Sequence, residues 1–327
     1  MTKLLHKIHH HKKRLLLLIP LILAISILFF ATGSTAKAQT LGLSISPPID
    51  EIMIVPGNNV AQNFTLSNNG IDGYASLYIV PFTPLGEYGG VFLDEENMVT
   101  SSSPYNSWFS ITSPNISFGE KFYIRQGEAT TVTIRFSPPA DAPEKDYYFT
   151  LIYQLESDSS SGFSSTGSIN KARIGSNLLV SLSQDGLPKK SFQITEFSAP
   201  KLIDSLGRLK FNTRIENTGS YFFKSYGNIS ISSTFSPDET LELAPFNVAS
   251  GSTRNIPCIK EEDAMDCQSG KKVFIGIYKS TLKVIPDDGE SFQEKTTTTV
   301  ALPFSLIAVS VLVYLIYKIL YKAKDTK

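Results

Sequence analysis

From Gln39 to Thr299 the chain repeats short runs in which apolar and polar side chains alternate, and no 3.6-residue apolar spacing takes over in that span. A period of two sends successive side chains to opposite faces of an extended strand, so each run can bury one face and wet the other. Val60, Phe64 and Leu66 belong to one such run, which ends in the turn Asn68-Asn69-Gly70, and residues 131–136 alternate more cleanly. Tyr147, Phe149, Leu151, Tyr153 and Leu155 line one face of a longer run. Later, Leu209, Phe211, Thr213 and Ile215 face one way while Lys210, Asn212, Arg214 and Glu216 face the other. Strand-forming residues and Gly, Pro and Asn turns without intervening helices mean a sandwich or a barrel. One immunoglobulin-like sandwich takes about 100 residues, so this stretch fits two. The expected fold is all-β: two tandem immunoglobulin-like β-sandwich modules plus a C-terminal transmembrane helix.

The polar turn Asp185-Gly186-Leu187-Pro188-Lys189-Lys190 divides the strands into residues 39–187 and 188–299. An insertion over residues 84–106 and a Ser-rich loop over residues 157–168 enlarge the first module.

The two ends are of another kind. Residues 1–14 hold Lys3, Lys7, Lys12, Lys13 and Arg14 and no acid, an apolar run follows over residues 15–31, and Ala36-Lys37-Ala38 has the small-x-small form that precedes signal cleavage. Residues 1–38 therefore read as an export signal, with an uncleaved anchor as the other reading. Residues 301–317 carry no charge, and Lys318, Lys322, Lys324 and Lys327 follow. A crossing needs roughly 20 apolar residues, which residues 300–320 supply if Lys318 snorkels. Tyr314, Tyr317 and Tyr321 stand where an aromatic belt is expected. Residues 321–327 then form a basic cytoplasmic tail, and the modules face the exterior as a single-pass cell-membrane protein.

Charge is segregated accordingly. Of 30 Lys and Arg, ten lie in residues 1–38 and 318–327, leaving 20 against 29 of the 30 acids, a net charge near −9 between the ends. That balance argues against nucleic acid, which demands basic clusters. All four histidines, His6, His9, His10 and His11, precede the first apolar run. The remainder thus lacks the base of Ser-His-Asp and Cys-His nucleophile systems and the imidazole ligands of zinc. A pair of carboxylates working on a glycan stays open. Cys258 and Cys267, the only cysteines, flank an acidic stretch that reads as a loop, and a disulfide between them is expected on the exported side. No cofactor is expected. Asp94-Glu95-Glu96 lacks the spacing of a calcium loop and reads as a solvated turn. Tyr88, Tyr105, Trp108 and Phe109 are the candidate binding residues, as aromatics that could stack on a sugar or a partner; burial in the core is the competing reading for the tryptophan.

Several strings carry a resemblance. Leu43-Ser44-Ile45-Ser46-Pro47-Pro48, then Val55-Pro56-Gly57 leading to Phe64-Thr65-Leu66-Ser67-Asn68-Asn69-Gly70, resemble the WxL-interacting protein family. The Pro-rich turn of residues 136–148 does too, as do Ile215-Glu216-Asn217-Thr218-Gly219, Tyr226-Gly227-Asn228-Ile229 and residues 248–254. The order of signal, two β modules, terminal helix and basic tail matches over nearly the whole chain. The resemblance implies a peptidoglycan-contacting first module and a second module that holds a surface protein. The acidic cysteine loop and the Ser-rich loop depart from the family pattern.

Together these features point to a membrane-anchored, non-catalytic binding and scaffold protein with cell-wall glycan and/or a surface protein as partner, and no nucleic acid. A carboxylate-dependent wall-glycan hydrolase and a strand-donating assembly chaperone are the alternatives, and an open sheet edge in the first module would favour the latter.

Overall fold

The computed structural model describes residues 42–157, 171–260 and 263–324. All of them belong to one compact unit, residues 41–327. The export signal expected over residues 1–38, most of the Ser-rich loop and the last three tail residues lie outside the described residues.

The first module holds β1 (Leu43–Ser46), β2 (Ile49–Ile54), β3 (Val60–Asn68), β4 (Gly73–Leu85), β5 (Gly90–Leu93), β6 (Phe109–Ile111), β7 (Phe122–Ile124), β8 (Ala129–Phe136), β9 (Asp146–Ser157) and β10 (Lys171–Leu182). One sheet runs β1-β3-β8-β6 and the other β2-β10-β9-β4-β5, with β7 also on β4. The chain changes sheets between β1 and β2 at Pro47-Pro48, where the Ser46–Pro47 peptide is cis. Alternation fills the space between the sheets: Phe64, Leu66, Val132, Ile134, Phe149, Leu151 and Tyr153 are all buried there.

The second module holds β11 (Phe192–Ser198), β12 (Leu202–Asp204), β13 (Asn212–Asn217), β14 (Phe223–Ser233), β15 (Glu239–Glu242), β16 (Phe246–Val248), β17 (Thr253–Asn255), β18 (Cys258–Lys260), β19 (Asp263–Met265), β20 (Gly276–Pro286) and β21 (Gln293–Leu302). Its sheets run β11-β13-β17 and β12-β21-β20-β14-β15, with β16 on β14. Leu209, Phe211, Thr213 and Ile215 are buried as their spacing requires. The two modules have separate cores, one ending at Leu182 and the other beginning at Phe192. The chain is thus mostly β, built as two sandwiches.

Cys258 and Cys267 form a disulfide with Cα atoms 4.8 Å apart, both buried in the second core. Closing so short a loop stabilises by ~2–3 kcal/mol on the chain-entropy account. The stretch between them, expected to be a loop, is a small hairpin of β18 and β19.

One boundary moves. Residues 300–302, expected to start a membrane helix, complete β21 instead, where Val300 pairs with Ile277 and with Leu202. Thr297, Thr299 and Ala301 are buried in turn, so the strand period persists to the strand's end. The helix α1 is Phe304–Lys324. Among the described residues no helix is long and apolar enough to cross a membrane. The side chains of α1 from Phe304 to Lys318 are exposed.

Candidate functional site

The four nominated aromatics do not form one surface. Trp108 and Phe109 are 6% and 7% exposed, inside the first core. Tyr105 packs on Trp108 edge to face with ring centroids 5.0 Å apart, and on Phe149 at 5.2 Å. These contacts follow from a short 3-10 turn, Asn106–Trp108, that rolls the insertion's end onto the sandwich just before β6. Tyr88 is 83% exposed, at the tip of the β4–β5 hairpin. It borders a cleft of about 210 Å³ also lined by Glu87, Glu196, Arg214 and Asn255. Arg214 spans that cleft, 2.9 Å from Glu87 and 3.2 Å from Glu196.

Among the described residues no group of three His, Cys, Asp or Glu is placed to hold a metal ion. Asp94 caps a 3-10 turn, its Oδ1 accepting from Asn97 N at 3.3 Å, and Glu95 pairs with Arg173 at 3.0 Å.

The sheet edges are the informative places, because an unpaired edge presents backbone donors and acceptors to any extended chain. On β4, beyond its β7 and β5 partners, the insertion and the segment before β7 cover the edge: Asp94 and Val99 of the first and Gly119 of the second donate their N–H groups to the carbonyls of Pro81, Ile79 and Leu77. On β11 two side chains from β21 cover it. Gln293 Oε1 accepts from Ile194 N at 3.1 Å and its Nε2 donates to Phe192 O, while Lys295 Nζ donates to Thr195 O at 3.0 Å.

β10 is treated differently along its length. Over residues 177–182 it pairs with β2 on one side and β9 on the other. Over residues 171–176 only β9 pairs with it among the described residues. Asn177 donates its N–H to Pro48 O on the β2 side, and backbone direction alternates along a strand. The N–H and C=O groups of Lys171, Arg173 and Gly175 therefore face the open side. Ala172 and Ile174 point inward and are half-buried, Ile174 against the first core. Gly175 lies close against the neighbouring strand, where a Cβ would meet Thr150 Cγ2 at 2.5 Å. Glu156 stands between Lys121 and Lys171, the latter at 2.7 Å. Hydrogen bonds from those two ammonium groups hold its carboxyl down at about 2.

The covered half of β10 leads to the other module. Leu179 packs with Phe82 and Phe222 in a small buried cluster. Ser181 Oγ donates to Asp146 Oδ1 at 2.6 Å, and Tyr148 Oη donates to Asp146 Oδ2 at 2.6 Å. Phe222 N donates to the same carboxylate, and Ser250 N donates to Tyr148 Oη at 2.8 Å. Asp146 is the charged residue the fold buries among those described. Burial raises its pKa, and the donated hydrogen bonds with the nearby Lys190 ammonium pull the other way without cancelling it. Sequence reasoning missed this hub: its members come from four separated segments, and Asp146 looked like one more polar residue in a turn.

No family model and no curated protein matches the chain. Among solved structures it is similar to the YadV chaperone, with a TM-score of 0.36 and 11% identity over 78% of this chain and 98% of that one. It is likewise similar to the E. coli chaperone DraB, with a TM-score of 0.36 and 12% identity over 80% and 99% of the two chains. A likeness at that level carries no functional information.

Proposed function

We propose that the chain is a non-catalytic binding protein whose first module takes up an extended segment of a partner protein as an added strand along residues 171–176. The observation that carries this reading is that, among the described residues, 171–176 of β10 pair on one side only, while the β4 and β11 edges are covered. Strand addition draws affinity from backbone hydrogen bonds and specificity from alternate side chains. Here the incoming strand would find three residues' worth of outward backbone groups and an inner face at Ala172 and Ile174. An assembly or scaffolding role fits this chemistry better than glycan contact, because of the four nominated aromatics Tyr88 alone faces solvent fully. The resemblance to WxL-interacting proteins supports a surface-protein partner and leaves peptidoglycan contact as the second reading.

The localisation belongs to the same proposal: an exported chain held at the cell membrane by α1. What supports it is the uncharged, exposed run ahead of Lys318.

The test places a photo-crosslinking residue at position 171 of the full chain in its native cells. A discrete protein adduct is expected, and Arg173→Pro abolishes it. That proline removes a donor on the open side and none from the β9 ladder. Absence of an adduct, or an adduct indifferent to the proline, overturns the reading.

A further inference from the structure

The second module has an apolar end where the chain enters α1. Leu202, Val300 and Ile277 are direct partners across β12, β21 and β20, so their side chains share one outward face. Leu202 and Ile277 are 53% and 59% exposed. Leu302, two residues after Val300 on the same face, is 42% exposed, and Ile275 just before β20 is 53% exposed. Phe235, 74% exposed, has its ring against Gly276, where φ is +94° and a Cβ would meet it at 2.8 Å. Four large apolar side chains, Leu202, Ile275, Ile277 and Leu302, are thus exposed around the half-buried Val300 at one end of a folded sandwich.

The same face turns polar within one further row. Beyond Ile277 and Val300, β20 carries Lys279, Thr281 and Lys283, and β21 carries Thr298, Thr296 and Glu294. Two residues of strand advance about 7 Å, so the apolar band is one interfacial layer deep and is bordered by Lys279. The band is also tied to the start of α1. Asp204 of β12 accepts from Ser305 N and from Ser305 Oγ, each at 2.8 Å, and Ser205 N donates to Leu302 O at 2.9 Å. The first turn of α1 is therefore clamped to the strand that carries Leu202.

We infer that this end of the second module is a membrane-contact surface that rests in the headgroup layer of the bilayer holding α1. The inference rests on the anchoring reading above and goes beyond it, since an anchor alone would leave the module free to stand off on a tether. The bilayer is the occupant that fits, because the apolar band is continuous in the chain with the exposed side chains of α1. Its depth matches the interface, and its border lysine can reach anionic headgroups. The consequence is a fixed orientation of the second module on the surface.

The experiment uses the full chain in phosphatidylcholine–phosphatidylglycerol vesicles containing a shallow nitroxide-labelled lipid. Single cysteines carry an environment-sensitive fluorophore at Ile277→Cys, Lys283→Cys or Leu312→Cys; the native cysteines are disulfide-bonded and do not react. The Ile277 label is expected to emit to the blue and to be quenched at least about twofold more than the Lys283 label, which lies about 20 Å further along the strand. Quenching at Leu312 with Ile277 no different from Lys283 overturns the inference and leaves the anchor standing. An unquenched Leu312 label overturns the anchor and the inference together. A blue-shifted but unquenched Ile277 label means that protein, a second copy or another partner, covers the patch, and also overturns it.

Discussion

The two halves of β10 lie on one strand, share one partner in β9, and end up with opposite surroundings. Residues 177–182 are sealed by β2 and, through Leu179 and Ser181, joined to the second module. Residues 171–176 keep one side open among the described residues. The residues differ to match: the open half alternates, whereas Leu178, Leu179 and Val180 form a continuous apolar run buried on both faces. The difference arises where Pro47-Pro48 delivers the chain from the first sheet to the second, which sets how far along β10 the cover of β2 can reach. The path of β2 sets where the cover ends, and the change from alternation to a continuous apolar run in β10 follows it.

The largest expected effect comes from breaking the covered half at its carboxylate. Asp146→Ala strands the donors of Ser181, Tyr148 and Phe222, and a loss of about 3 kcal/mol in denaturant unfolding is expected. Leu179→Ala opens a cavity beside Phe222 and Phe82 and should cost about 2 kcal/mol by the same measurement. Uncovering β11 sharpens the comparison: Gln293→Ala with Lys295→Ala should cost about 1 kcal/mol and open that edge, seen as concentration-dependent self-association in light scattering. On the open half, Lys171→Ala should change stability by less than about 0.5 kcal/mol, since its ion pair with Glu156 is exposed on the lysine side.

Acidity separates the halves by sign. Asp146 has a raised pKa, so between its ordinary and raised values the fold holds a proton that the unfolded chain has released, and stability falls as pH rises through that window. Glu156 is held at about 2, so its contribution is present above the ordinary carboxylate value and is lost as pH falls toward about 2. Denaturation midpoints measured across pH for Asp146→Asn and Glu156→Gln should each lose one of these opposed slopes.

Much of the architecture was legible in the spacing of the residues. A two-residue period is a local property, and it placed Thr213 and Ile215 inward as firmly as Phe149 and Leu151. The two cysteines could be paired for want of any other partner. The start of α1 was misplaced because Val300, Ala301 and Leu302 are as apolar as the helix residues after them. An apolar strand end and an apolar helix start are written in the same residues until pairing with β12 and β20 tells them apart. Tyr88 and Trp108 are both aromatic and stand twenty positions apart, yet one tips a hairpin and the other fills a core.

By itself the sequence determined the kind of element, the number of modules and the place of the disulfide, since these follow from spacing along the chain and from the scarcity of cysteine. Tertiary structure alone decided how far β2 covers β10, which carboxylate is buried, and which apolar residues gather beside α1. Those outcomes depend on segments far apart in the chain meeting in space, and no local pattern encodes which neighbour a strand will lack.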